Sequence, residues 1–267
     1  MTSPALTPRA WSPFSRYRRS LWLLTTRDLR VRYSTSFLGY LWSILDPLVM
    51  AGIYWFVFTQ VFERGVGHEP YIVFLLTGLL PWMWFTGSVS DATRAFTREA
   101  KLVRSTTIPR TIWVSRLVLS KGIEFVASIP VLAIFAIVTP GTVLHWEALW
   151  SLLAIVLQAI LTLGIGLIVA PLVVFFRDLE RAVKLALRFL FYASPIIYGL
   201  QDLEELGLDT IGAFNPLSGI ISLYRAAFFP QQLDWFAVAI SAGMSLALFG
   251  IGVLIFRNTI RTVLKEI

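Results

Sequence analysis

Six apolar runs divide the chain: Phe37–Phe62, Tyr71–Ser90, Ile112–Val138, Leu149–Phe176, Leu185–Leu200 and Trp235–Phe256. A helix needs about 20 predominantly apolar residues to cross a bilayer. The pattern therefore predicts an all-α polytopic membrane protein with six transmembrane helices. The fifth run is the odd one. Its 16 residues extend about 24 Å as a helix, against a hydrocarbon core of ~30 Å. It carries Arg188, four aromatic residues and Pro195, a composition suited less to a lipid-facing anchor than to the wall of a pathway.

The polar intervals order these runs. Ser15–Tyr33 alternates Leu21, Leu24 and Val31 with six arginines, which predicts an amphipathic helix lying at the membrane surface; a solvated basic leader is the plainer alternative. The first 13 residues hold three prolines and are expected to be loose. With the N-terminus inside, 21 of the 23 Lys and Arg residues fall on the cytoplasmic side and only Arg64 and Arg225 outside. This asymmetry predicts six spans with both termini cytoplasmic. A seventh span through Ile211–Phe229 would carry Arg257, Arg261 and Lys265 outside. The chain thus divides into a leader over 1–36, without a secretory signal pattern and expected to be retained, and a six-span domain over 37–267. The outer segment at 201–234 opens acidic, then turns apolar around Gly212, Asn215-Pro216, Gly219 and Pro230. It reads as short re-entrant helices in the outer leaflet, with an external helical cap as the alternative.

Composition narrows function by exclusion. At 57% hydrophobic residues and a mean hydropathy of +0.72, this is no soluble domain. Cysteine is absent and the two histidines, His68 and His145, sit in short loops, which argues against a thiolate or histidine metal centre. The net charge of +7 matches cytoplasmic flanks and needs no nucleic acid. No phosphate-binding glycine loop and no nucleophile elbow is present. A catalytic residue is therefore not expected.

Three groups of residues remain as candidates. Between the second and third runs, Arg98, Glu99, Lys101 and Arg104 alternate with Leu102 and Val103, a short amphipathic helix that either docks into a partner or simply connects spans. Lys121 and Glu124 lie three apart on one helix face and are read as a pair at headgroup depth. Arg188 lies one turn past Lys184 and one turn before Tyr192, which suits an anionic head group followed by a stacking ligand; snorkelling to the inner leaflet is the alternative. Aromatic residues concentrate in the first and fifth runs: Tyr54, Trp55, Phe58, Phe191, Tyr192 and Tyr198. Their faces give a sugar chain an apolar surface to slide along, although interfacial belts and helix packing use the same residues.

In order, the chain carries FLGYLWSILDPL at Phe37–Leu48, TREAKLVRSTTIPR at Thr97–Arg110, FFRDLERA at Phe175–Ala182, YASPIIYGL at Tyr192–Leu200 and NPLSGIISLYR at Asn215–Arg225. From Ser15 onward it resembles the membrane subunits of polysaccharide ABC exporters, the ABC-2 permeases of O-antigen, teichoic-acid, capsule and galactan transport. Its leader and its arginine- and tryptophan-rich composition are most similar to those of actinobacterial galactan exporters. The resemblance implies a homodimer around a central channel in the bacterial inner membrane. It implies two copies of a separate ATPase subunit, which bind ATP and Mg, while this chain binds no cofactor. It implies a coupling helix at about 97–108, with Arg98 to Arg104 facing the ATPase. Arg27, Arg30 and Arg188 would receive the head group of a polyprenyl-diphosphate-linked glycan, and 201–234 would form an outer gate. Two rivals stand beside it: a secondary transporter, which calls for mid-bilayer charge and inverted repeats, and a membrane-embedded glycan-processing enzyme, which calls for a polar catalytic cluster.

Overall fold

A computed structural model describes residues 13–34, 38–61 and 68–267. Among these residues there is no strand. Ten α-helices follow in order: α1 Pro13–Tyr33, α2 Trp42–Trp55, α3 Tyr71–Ala92, α4 Ala100–Ser105, α5 Ile112–Val138, α6 Trp150–Phe175, α7 Leu179–Ala193, α8 Asp209–Ala213, α9 Ser218–Arg225 and α10 Trp235–Glu266. Four stretches are long and apolar enough to cross a membrane: α3, α5, α6 with the 3-10 turn before it, and α10. The bounds of α3, α5 and α6 follow the apolar runs closely, because polar or turn-forming residues close those runs. α10 starts with its run at Trp235 but continues past Phe256 through the basic tail to Glu266. Asp234, for example, caps α10 by accepting from the backbone N–H of Phe236 and Ala237.

The first and fifth runs depart from the expectation of simple spans. The described part of the first run is a 3-10 turn at Gly39–Leu41, then α2, continued by a π-helical turn at Phe56–Val61; Phe37 and Phe62 lie outside the described residues. The fifth run is not one helix. α7 starts earlier than expected and stops at Ala193, because Pro195 disfavours helical geometry at Ser194, which is extended. Residues 194–200 then run irregularly into the outer segment.

α3 is the centre of the bundle. It is apolar on every side and buried on nearly every side, packed among α2, α5, α6, α7 and α9. Two polar clamps fix it. The Trp84 Nε1 donates to the Val118 carbonyl of α5 at 3.0 Å, and the Gln158 Nε2 of α6 donates to the Pro81 carbonyl at 2.7 Å. Such bonds between helices are favoured where no water competes. α6 and α10 approach backbone to backbone, since a Cβ on Gly252 would stand 2.4 Å from the Gly164 carbonyl oxygen. Small residues permit that distance.

The outer segment is folded against the bundle rather than held away from it. Every residue of α9 is buried, and a Cβ on Gly219 would stand 2.3 Å from the Ala237 carbonyl oxygen of α10. Asn215 closes the turn before α9: its Nδ2 donates to the Ala193 carbonyl at 3.0 Å and to Ser194 Oγ at 2.9 Å.

Candidate functional site

The charged end of the bundle is assembled from α1, α4, the end of α3 and the start of α5. Arg116 of α5 is almost fully buried. Its Nη1 donates to both carboxylate oxygens of Asp28 on α1, at 2.7 and 2.8 Å. Its Nη2 lies 3.3 Å from Glu99, just before α4. Arg27 of α1 also bonds Glu99. One turn further along, Arg32 pairs with Asp91 at 3.0 Å and with Glu124, and Lys121 meets Glu124 at 2.8 Å. The ion pair expected between Lys121 and Glu124 is therefore present, with Arg32 as a third member.

Burial dominates the electrostatics of this cluster. It opposes ionisation of Glu99, but the hydrogen bond and charge of Arg27 and the charge of Arg116 outweigh it, so the carboxyl sits below the usual carboxylate range. At Asp28 the balance reverses. Burial exceeds the attraction of Arg116 and Arg27 and raises its pKa. The cluster ties the amphipathic helix to the segment before α4 and to two membrane-crossing helices at once.

α4 itself is short, six residues. Arg98, Lys101 and Arg104 are exposed and Leu102 is partly covered. Two expected docking residues point elsewhere. Val103 is fully buried in an apolar cluster with Phe96, Trp113, Phe256 and Val263. Glu99 turns inward to the arginines described above. A helix this short offers one outward face, and alternation of charged and apolar residues in the sequence did not reveal which apolar residue filled the core. Arg110 donates to the Val103 carbonyl and holds the end of α4.

On the other side of α3, α2 and α7 enclose a groove of about 430 Å³. Lys184 and Arg188 stand at its rim, with Tyr54, Trp82, Phe191 and Tyr192 along its walls. Phe191 is the hub: its ring centroid lies 5.7 Å from that of Tyr54, 5.5 Å from Trp82 and 5.1 Å from Tyr192. Cation and aromatic surface thus share one concavity, as the spacing of Arg188 and Tyr192 predicted. Trp82 was missed because it sits in the most uniformly apolar run, where nothing marks one aromatic residue as lining. Other expectations separate. Trp55 is turned outward. The Phe58 side chain lies outside the described residues. Tyr198 lies beyond the end of α7, half-buried, its hydroxyl donating to the Tyr192 carbonyl at 3.2 Å. Arg27 is consumed by carboxylates in a separate cavity and Arg30 is exposed, so neither meets Arg188 in one pocket.

Arg225, read from sequence only as an external charge, is a buried structural centre. Its Nη1 donates to the Tyr198 carbonyl at 3.0 Å and its Nη2 to the Ile196 carbonyl at 2.7 Å. Its guanidinium lies 3.7 Å over the Phe74 ring. The Tyr71 hydroxyl donates to the Ile197 carbonyl at 3.2 Å. The irregular SPIIY backbone therefore survives because side chains satisfy the carbonyls that a helix would have paired.

A bundle with four described helices long and apolar enough to cross a membrane, a charged foot joined to an exposed short helix, and an aromatic groove lined by cations define a polytopic membrane protein. Residues 19–229 match the ABC-2 type transporter family, and the chain belongs to that family. The O-antigen export system permease protein RfbA of Klebsiella pneumoniae is 36% identical over 240 residues, covering 88% of this chain and 90% of that protein. A protein of the same name from Myxococcus xanthus is 30% identical over 218 residues, 81% of this chain and 83% of its own. The polysialic acid transport protein KpsM of Escherichia coli is 25% identical over 217 residues, 79% and 81%.

Proposed function

We propose that this chain is the permease subunit of an exporter for an O-antigen-type polysaccharide carried on a polyprenyl-diphosphate lipid, with a galactan as the favoured glycan. The observation that carries the reading is the groove between α2, α3 and α7. Arg188 offers charge to an anionic diphosphate, with Lys184 beside it held by Glu180 at 2.7 Å, and Tyr54, Trp82, Phe191 and Tyr192 offer faces to the sugars behind it. Direct hydrogen bonding to each sugar would slow a polymer, whereas stacking lets it slide. The names of the relatives in Klebsiella and Myxococcus support export of O-antigen over a small solute.

In this reading the chain sits in the bacterial inner membrane with both termini cytoplasmic. It crosses six times, with α2 and α7 as the two shorter spans, and works as a homodimer. Apolar side chains exposed on those two helices, Ile53, Leu185 and Phe189 among them, support a second copy closing the channel. α8 and α9 dip into the outer leaflet as re-entrant helices and gate the exit. Two copies of a separate ATPase subunit bind ATP and Mg below, and their closure presses on Arg98, Lys101 and Arg104. The charge cluster around Arg116 passes that push to α1, α3 and α5.

The test is co-purification with the ATPase subunit, followed by ATP hydrolysis in liposomes with and without lipid-linked glycan. Stimulation by the glycan is expected, and Arg188→Ala is expected to reduce it. Hydrolysis indifferent to glycan, or no complex at all, rejects the proposal.

A further inference from the structure

We propose that a cavity between the end of α1, the start of α2 and the middles of α3 and α5 binds a primary ammonium group, which the Asp46 carboxylate holds among aromatic rings. The cavity measures about 320 Å³, and its charged lining is Arg32, Asp46, Lys121 and Glu124. Leu80, Met83 and Trp84 line it from near the midpoint of α3, and Glu124 and Phe125 from near the midpoint of α5. It therefore reaches from the charged foot into the apolar depth of the bundle. Ionised side chains at such depth are costly and mark functional positions.

Charge bookkeeping leaves one carboxylate over. Glu124 pairs with both Arg32 and Lys121, and Arg32 also meets Asp91. Two cations thus face two carboxylates. Asp46 is the surplus: among the described residues nothing bonds its carboxylate. It is the fifth residue of α2, past the first turn, where the attraction of a helix start for negative charge falls off.

A cation is what this lining lacks, and the rings say which kind. Trp42 stands one turn before Asp46 on α2. Trp84 and Phe125, with centroids 5.3 Å apart, form a stacked wall, and the Trp84 ring is fixed by its bond to the Val118 carbonyl. Aromatic faces attract organic ammonium ions. A metal ion calls for several oxygen ligands, and among the described residues no three Asp, Glu or His side chains come together to supply them. Ser128 also lines the cavity. Its hydroxyl donates to the Phe125 carbonyl at 2.7 Å, which leaves its oxygen able to accept. Two acceptors, Asp46 and Ser128, suit a primary ammonium, which has three N–H donors, over a quaternary one, which has none. Two sources carry that group: the head group of an ethanolamine phospholipid, and a free small amine. The cavity shares only Met83 with the aromatic groove. Its ligand braces α2 against α3 and α5, and the site stands whether or not the exported substrate is a lipid-linked glycan.

The full chain in mild detergent is tested by saturation-transfer NMR with ethanolamine and with ethylene glycol, its uncharged counterpart. A second sample is offered phosphatidylethanolamine and phosphatidylcholine in equal amounts, and retained lipid is counted by native mass spectrometry. Preference for the primary amine over its control is expected. Asp46→Asn is expected to lower it about tenfold, the equivalent of ~1.4 kcal/mol, and Trp42→Leu about threefold, with net charge unchanged. Asp46→Glu keeps most of it. Trp42 and Asp46 are exposed, so these variants leave the core intact. Phosphatidylethanolamine retained in excess, with the excess lost in Asp46→Asn, assigns the site to a lipid head group. Equal retention of the two lipids, with an ethanolamine response lost in Asp46→Asn, assigns it to a free amine. No preference in either sample overturns the proposal, and so does a preference undiminished in Asp46→Asn. Neither glycan nor ATPase is present, so failure of the functional proposal cannot produce these results.

Discussion

Replacing Arg116 by methionine tests whether the charge cluster is one energetic unit. The guanidinium is almost fully buried and the Asp28 carboxylate nearly so, with side-chain exposures of 4% and 12%. Methionine fills similar volume but strands Asp28, whose nearest remaining cation is Arg27 at 3.6 Å. Removing one partner of a buried pair costs ~3–5 kcal/mol. Asp28→Asn is milder, because Arg116 keeps Glu99 at 3.3 Å; losing a charged hydrogen bond of this kind costs ~1.5–3 kcal/mol. The double substitution leaves Glu99 with Arg27 and strands no charge on α1. It should therefore cost ~2 kcal/mol less than the two single losses added together. Unfolding by increasing SDS in detergent micelles, followed through tryptophan emission, measures all three, since Trp113 lies 4.9 Å beneath the Arg116 guanidinium. Single losses that add to the double within ~0.5 kcal/mol would refute the coupling, and with it the route by which α1 is tied to the bundle.

The remaining predictions use the same unfolding measurement. Val103→Asp places a carboxylate without a partner in an apolar cluster and should cost at least ~3 kcal/mol, whereas Lys101→Ala on the exposed face should stay within ~0.5 kcal/mol; equal losses would show that α4 is seated the other way. Arg225→Met strands the Ile196 and Tyr198 carbonyls and should cost ~2–5 kcal/mol, and Arg225→Lys should recover only part because an ammonium lacks the planar fork that reaches both; full recovery would contradict that geometry. Glu180 bonds Arg94 and Lys184, which hold its pKa down to about 2. A carboxylate depressed in the folded state stabilises above its unfolded pKa of ~4.3 and loses that contribution as the pH falls through the folded value. Wild-type stability should therefore decline between those limits more steeply than that of Glu180→Gln, and parallel profiles would count against the pairing.

Chain order and residue chemistry alone determined the helical class, the bounds of α3, α5 and α6, the start of α10, the amphipathic α1 and the shared face of Arg188 and Tyr192. Each rests on local periodicity or on apolar length, and both are written into neighbouring residues. Tertiary structure decided the rest. Val103 and Lys101 are equally plausible on an exposed helix face, and only the presence of Phe96, Trp113 and Val263 buries one of them. Arg225 looks like a loop charge until the broken backbone after Ala193 presents carbonyls that need a donor. Arg27 and Arg188 are both basic and both near the charged end, yet α3 stands between them and carboxylates distant in sequence claim the first. The groove around Phe191 likewise depends on Trp82, an aromatic residue in a uniformly apolar run. Which of its faces meets α7 is settled by helix rotation, and rotation is fixed by packing partners that sequence spacing does not name.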